Sequence, residues 1–182
     1  MISSAAKQCF SVRYAKESDA RAIFLIVSAS MKSYSALSQI PDNVLDASTE
    51  SEDDVRSIIE KQRVYVADDC EGVVAGTFRL IFPNMEAYKT HVSDLPADLS
   101  EIPVAYFSRF AVALHMQNMG VGNLLLLAAE KEARMQGANY LLLHTALSHM
   151  ELVSFYQKRG FTLLDQSSNR GYARGLFGKQ IR

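Results

Sequence analysis

The chain has 182 residues, 48% of them hydrophobic, and a net charge of −1. That length and apolar content predict one domain, 1–182, and exclude wholesale disorder. The near-zero charge gives no electrostatic case for a nucleic-acid partner, and no apolar run reaches the roughly 20 residues of a membrane span.

Residues 1–10, MISSAAKQCF, hold one lysine and no long apolar run. No signal peptide is expected, and the chain reads as cytoplasmic. Cys9 and Cys70 form no CxxC. One disulfide fits them, and two free thiols in a reducing cytoplasm fit better. FSVRYA (10–15) reads as a strand. Ser18 reads as a helix N-cap, with Ile23, Val27 and Met31 following at helical spacing. Thr49 and Glu52 have capping-box spacing before a second helix through Val55, Ile58 and Ile59. RVYVADD (63–69) and VVAGTFRLIF (73–82) read as a hairpin turning near Glu71 and Gly72. Residues 83–102 contain Pro83 and Pro96 and read as a long irregular insertion. VAYFSRFAV (104–112) is a strand. A helix starts near Gly120 and ends at Gly137, a good C-cap. YLLLHTA (140–146) is a buried strand. Ser148 and Glu151 have capping-box spacing for a last helix that Gly160 closes. FTLLD (161–165) and YARGLFG (172–178) complete a mixed α/β order with no interdomain linker.

The segment QNMGVGN (117–123) lies between a strand and the helix it opens. Glycine lets backbone approach a ligand closely, and the first amides of a helix have no partner inside it. Strand, glycine turn and helix together suit a phosphate. A Walker loop is absent, and Leu125 stands where a dinucleotide GxGxxG needs its third glycine. The remaining pattern is Q-x-x-G-x-G, with Gln117, Gly120 and Gly122. Its spacing alone fits a bare tight turn equally well.

Downstream residues add to it. The stretch from Phe110 to Phe161 strongly resembles the core of the GNAT superfamily of acyl-CoA-dependent N-acyltransferases. The matches are Val112 ending an apolar strand, then Gln117, Gly120 and Gly122, then Tyr156, Gly160 and Phe161 as Tyr-x-x-x-Gly-Phe. The resemblance covers residues 104–165. It implies an α/β fold: a mixed, mostly antiparallel six- to seven-stranded sheet, splayed at its two central strands and flanked by about four helices.

The resemblance also implies an activity, transfer of an acetyl group from acetyl-CoA to a primary amine by direct attack in a ternary complex. Gln117 and the amides of Asn118, Met119, Gly120, Val121, Gly122 and Asn123 should hold the pyrophosphate. Phe110, Ala111 and Val112 should bond the pantetheine arm as another strand would. An amide near Phe110 or Ala111 should polarise the thioester. Tyr156 should protonate the departing thiolate. His149 stands where many members have an asparagine that contacts the arm. Where many carry a basic glutamate, this chain has Tyr106, with Ser108 one pleat away. No general base is named: the amine's proton goes to ordered water, or the amine arrives neutral. The alternative is a non-catalytic acyl-CoA-binding module for sensing or assembly, which the missing glutamate favours and the retained Tyr156 disfavours.

His91, His115 and His144 share no ligand spacing, so no metal is expected. Arg79 and Arg109, on strands, are expected to form structural ion pairs before substrate contacts. Lys158 and Arg159 fit either a CoA phosphate or a solvated helix face. Residues 33–55 carry Asp42, Asp46, Glu50, Glu52, Asp53 and Asp54 with no Lys or Arg, and 83–102 carry four acids against Lys89. Acids near the mouth of a site would steer a cationic amine, although they equally suit a helix start or solvated loops. Exposed edge strands give a homodimer a way to form.

Overall fold

The computed structural model describes residues 9–45, 49–82, 99 and 102–181. In chain order the elements are β1 (Ser11–Tyr14), α1 (Ala20–Ser38), α2 (Glu52–Lys61), β2 (Arg63–Asp68), β3 (Val74–Ile81), β4 (Val104–Val112), α3 (Val121–Met135), β5 (Tyr140–Ala146), α4 (Met150–Gln157), β6 (Thr162–Ser167) and β7 (Arg174–Gln180). They form one seven-stranded sheet of order β1-β2-β3-β4-β5-β7-β6. Only β4 and β5 run parallel; the other neighbours are antiparallel.

The alternation of each strand sorts its side chains onto two faces. On one face Phe78, Leu80, Ala105, Phe107, Leu141, Leu143 and Phe177 pack against Leu125, Leu126 and Ala129 of α3 and Val153 and Tyr156 of α4. On the other, Val64, Val66 and Ala111 pack against Ala20, Ile23 and Val27 of α1 and Val55 of α2. Ile81, Tyr106, Leu142 and Leu176 continue this second face toward β7. Gly76 allows the closest approach of α3, since a Cβ there would sit 2.8 Å from Ala111 O and 2.8 Å from Leu125.

Several expected boundaries move. α1 runs seven residues beyond Met31, through the polar KSYSALS. Its hydroxyls have partners: Ser38 Oγ donates to Tyr34 O at 2.5 Å, and Ser35 Oγ donates to Ile40 O at 2.6 Å. Ser18 is not the cap of α1. It lies in a 3₁₀ turn, Glu17–Asp19, and the Asp19 carboxylate accepts from Lys16 N at 2.7 Å. The capping box of α2 is Ser51 with Asp54, two residues later than Thr49 with Glu52. At α4 the cap is His149, whose Nδ1 accepts from Leu152 N at 3.3 Å, while Ser148 Oγ donates to Ser38 O. Cys9 and Cys70 are free, exposed thiols. The insertion expected at 83–102 lies almost wholly outside the described residues.

Candidate active site

The parallel ladder between β4 and β5 is short. It pairs Val104–Tyr106 with Tyr140–Leu142 and then stops, although both strands continue. On its other side, β4 keeps its bonds to β3 with an irregularity. Thr77 pairs with Ala111 and Arg79 with Ser108, so Phe78 opposes two residues, Arg109 and Phe110. Arg109 takes φ +50°, a left-handed conformation unusual for a residue with a side chain. This bulge bends β4 away from β5. From Phe107 onward the β5-facing edge of β4 has no strand partner. The gap belongs to a cleft of about 680 Å³ that reaches both sheet faces.

One end of the cleft is the glycine turn. Gly120 has φ +88°, which glycine adopts without penalty and β-branched residues resist. A Cβ on Gly122 would lie 3.3 Å from Phe110 Cζ. The first amide of α3 to bond back is Leu124 N, onto Gly120 O. The amides before it are the open donors of a helix start, at the positive end of its dipole. No acidic residue occupies that first turn. Arg159 is fixed beside it: Nε donates to Asn123 Oδ1 at 3.1 Å, Nη1 donates to Phe155 O at 2.9 Å, and the guanidinium lies 3.6 Å over the Phe155 ring. Glycine backbone, open amides and a clamped cation fit a pyrophosphate.

Tyr156 projects from α4 among Phe110, Phe155 and Phe161. Its ring is buried, and its hydroxyl bonds to no described residue and lines the cleft. Burial, reinforced by neighbouring Tyr34 and Tyr106, pushes the phenol far above its ordinary value. It therefore stays protonated across the physiological range.

The opposite sheet face carries different chemistry. Glu50 lies between two arginines: Arg79 Nη2 reaches Oε2 at 2.7 Å and Arg79 Nη1 reaches Oε1 at 3.1 Å, while Arg109 Nε reaches Oε1 at 2.8 Å. Burial would raise the Glu50 carboxyl, but the two guanidiniums outweigh it and hold it below its usual value. Beside this cluster, Tyr106 OH and His144 Nδ1 share a hydrogen bond of 3.0 Å across the end of the ladder. Tyr34 OH accepts from Ala146 N at 2.6 Å and fixes the far end of β5 to α1.

Of the residues expected at the cofactor, Phe110, Ala111, Val112, Gln117, Asn118, Gly120, Gly122, Asn123, His149 and Tyr156 line this cleft. Met119 and Val121 do not: Met119 points to solvent and Val121 is buried against α3's core partners, which leaves only their backbones to serve. His149 is buried with Nδ1 committed to capping α4. Of the acids of residues 50–54 only Glu50 lines the cleft. Glu50 is neutralised, Glu52 pairs with Arg56 at 3.0 Å, and Asp54 closes the Ser51 capping box. Asp46 and the acids at 86, 94, 98 and 101 lie outside the described residues. Sequence reasoning missed Glu50 as the counter-ion, His144 as the partner of Tyr106, and Arg174, which lines the cleft from β7. A weak signal existed for Arg174 alone, a cation two residues from Leu176 at the start of a strand whose centre, Gly175–Gly178, is apolar. Among the described residues no group of three or more His, Cys, Asp or Glu could hold a metal ion.

The family model for acetyltransferases (GNAT) matches residues 37–161. No curated protein matches the chain. Solved structures share its fold. An N-acetyltransferase from Staphylococcus aureus Mu50 is 18% identical with a TM-score of 0.71, over 96% of this chain and 99% of that one. The protein yncA from Salmonella typhimurium, solved with its cofactor acetyl-CoA, is 18% identical with a TM-score of 0.68, over 96% of this chain and 95% of that one. A GNAT-family acetyltransferase from Streptococcus agalactiae 2603 is 14% identical with a TM-score of 0.74, over 95% of this chain and 96% of that one.

Proposed function

Because the chain belongs to the acetyltransferase (GNAT) family, we propose that it moves an acetyl group from acetyl-CoA to a primary amine by direct attack in a ternary complex. The observation that carries this reading is the gap between β4 and β5, with a phosphate-type turn at one end and the Tyr156 hydroxyl inside it. We take the whole chain, 1–182, as one acetyltransferase domain. No described helix is long and apolar enough to cross a membrane, and we place the enzyme in the cytoplasm, where its thiols stay reduced.

Acetyl-CoA supplies an acyl group already activated as a thioester. The open amides around Gly120 and Gly122, with Arg159 beside them, hold the pyrophosphate. The unpaired edge of β4 at Phe110–Val112 takes the pantetheine arm as an added strand. An amide at Phe110 or Ala111 donates to the thioester carbonyl and stabilises the charge that develops there. The acceptor enters from the α1–α2 face, where Tyr106 and His144 lie. Its nitrogen bonds to the acyl carbon as the carbon–sulfur bond breaks. His144 accepts the nitrogen's proton. Tyr156 gives its proton to the sulfur. The apolar surroundings hold the phenol proton in place until charge develops on the sulfur, and the tyrosinate left behind is reprotonated from water as CoA departs.

The test is release of free thiol from acetyl-CoA with a panel of primary amines, beside calorimetric titration with CoA. Amine-dependent thiol release supports the enzyme. CoA binding without thiol release from any amine would leave a binding module. The sheet's edges, β1 and β6, are where a homodimer would form, and sedimentation measures it.

A further inference from the structure

We infer that the acceptor amine carries an anionic group, a carboxylate close to its nitrogen, and that Arg174 of β7 and Arg109 of the β4 bulge receive it. This rests on the acetyl-transfer reading above. Arg174 pairs with Ala146 across the β5–β7 ladder, two residues before Leu176. Leu176 packs with Tyr106 and Leu142, so alternation puts Arg174 on their face, the one that also bears His144 and Arg79. This is the face opposite Tyr156 and the one by which the acceptor enters.

Arg174 is half-buried and lines the cleft, and its guanidinium makes no hydrogen bond or ion pair with any described residue. A guanidinium in that position has lost part of its water without gaining a carboxylate, which suits it to an anion arriving with a ligand. Among the described residues its neighbourhood is also short of negative charge. Glu50 is shared by Arg79 and Arg109, so that cluster keeps one net positive charge. Glu50 Oε1 occupies Arg109 Nε and Nη2. Arg79 Nε is buried with no partner among the described residues. Against these stands Glu151, exposed in the first turn of α4.

The same field is felt at Tyr106. Burial raises its phenol, while Arg174, Arg109 and Arg170 pull it the other way. Arg109 of β4 and Arg170 and Arg174 of the β6–β7 stretch thus line the same cleft as Tyr106. A planar fork there binds a carboxylate through two parallel hydrogen bonds. An α-amino acid would then have its carboxylate on the arginines and its nitrogen toward the gap.

The experiment compares kcat/KM for an α-amino acid, its primary amide, the matching aminophosphonate and a polyamine, with thiol release as readout. We expect the acid and the phosphonate to exceed the amide by at least about tenfold, the scale of one charge-assisted hydrogen bond. Arg174→Gln should lower the acid to the level of the amide, and Arg174→Lys should restore part of the difference. A higher kcat/KM for the amide or the polyamine overturns the inference, and so does an equal loss for every amine in Arg174→Gln. A second measurement separates this result from a failure of the acetyl-transfer reading. The N-acetylated acid is titrated into the CoA complex of wild type and Arg174→Gln. Arg174-dependent binding without turnover would sink the catalytic reading and keep the anion site. No binding would sink the anion site alone.

Discussion

Glu50→Gln removes one charge and almost no volume from the buried cluster. In the wild type its carboxylate faces Arg79 at 2.7 Å and Arg109 at 2.7 Å, with side-chain exposures of 15% for Glu50, 5% for Arg79 and 21% for Arg109. With charge centres about 4 Å apart and an effective dielectric of about 20, each attraction is worth about 4 kcal/mol. Desolvation of the three ions and repulsion between the two guanidiniums cancel much of that gain. What remains after substitution is two cations with nothing between them, which costs about 3 kcal/mol in comparable buried pairs. For a chain of this size that lowers Tm by about 6–12 °C. Urea unfolding at pH 7 measures it. The sign in acid follows from the depressed Glu50 carboxyl. Its contribution is full above the unfolded carboxylate range and is lost as pH falls through the folded value. The variant should therefore approach wild-type stability as pH drops. A loss below about 0.5 kcal/mol at pH 7, the scale of an exposed pair, would show that water screens the cluster and that Glu50 does not hold the bulge.

Tyr156→Phe keeps the ring and deletes the proton; kcat should fall by a factor on the order of 10² to 10⁴ with acetyl-CoA affinity little changed, and full activity would assign the proton to water. Gly120→Val forces a β-branched residue to φ +88°; calorimetry with CoA should show affinity at least about tenfold weaker, and unchanged affinity in a folded variant would remove the turn from the site. His144→Gln should lower kcat by about 10², whereas an unchanged kcat would mean that the amine's proton leaves through another group.

Much of the cleft's glycine-turn end was legible because its signals are local. Strand 104–112 and strand 140–146 emerged at their expected limits, and Gly120, Gly122 and Tyr156 meet in one cleft. The acceptor half was not, because its bonds are long-range. Glu50 lies 29 residues from Arg79 and 59 from Arg109, and no pattern within a window joins them. The acidic segment therefore suggested a negative mouth, when its inward member is neutralised from the sheet. Cap positions slipped for a different reason. Thr49–Glu52 and Ser51–Asp54 have the same spacing, and local sequence does not decide which is used. At α4 a histidine nitrogen took a role usually given to hydroxyls. The helix α1 outran its apolar pattern because Tyr34 OH found a donor in Ala146 N and Ser38 O found one in Ser148 Oγ, both over 100 residues away.

The three-pair ladder between β4 and β5 makes the sheet two panels, β1–β4 and β5–β7, joined along a short seam. If the pantetheine arm lies in the gap as proposed, the cofactor is also the strip that would close that seam. Folding and metabolic supply are then linked. Each tenfold rise in acetyl-CoA or CoA above the dissociation constant adds about 1.4 kcal/mol to the folded state. A cell short of these thioesters would hold less of the enzyme in its closed form and expose more of it to proteolysis. The substrate would set both the rate of the reaction and the lifetime of the catalyst.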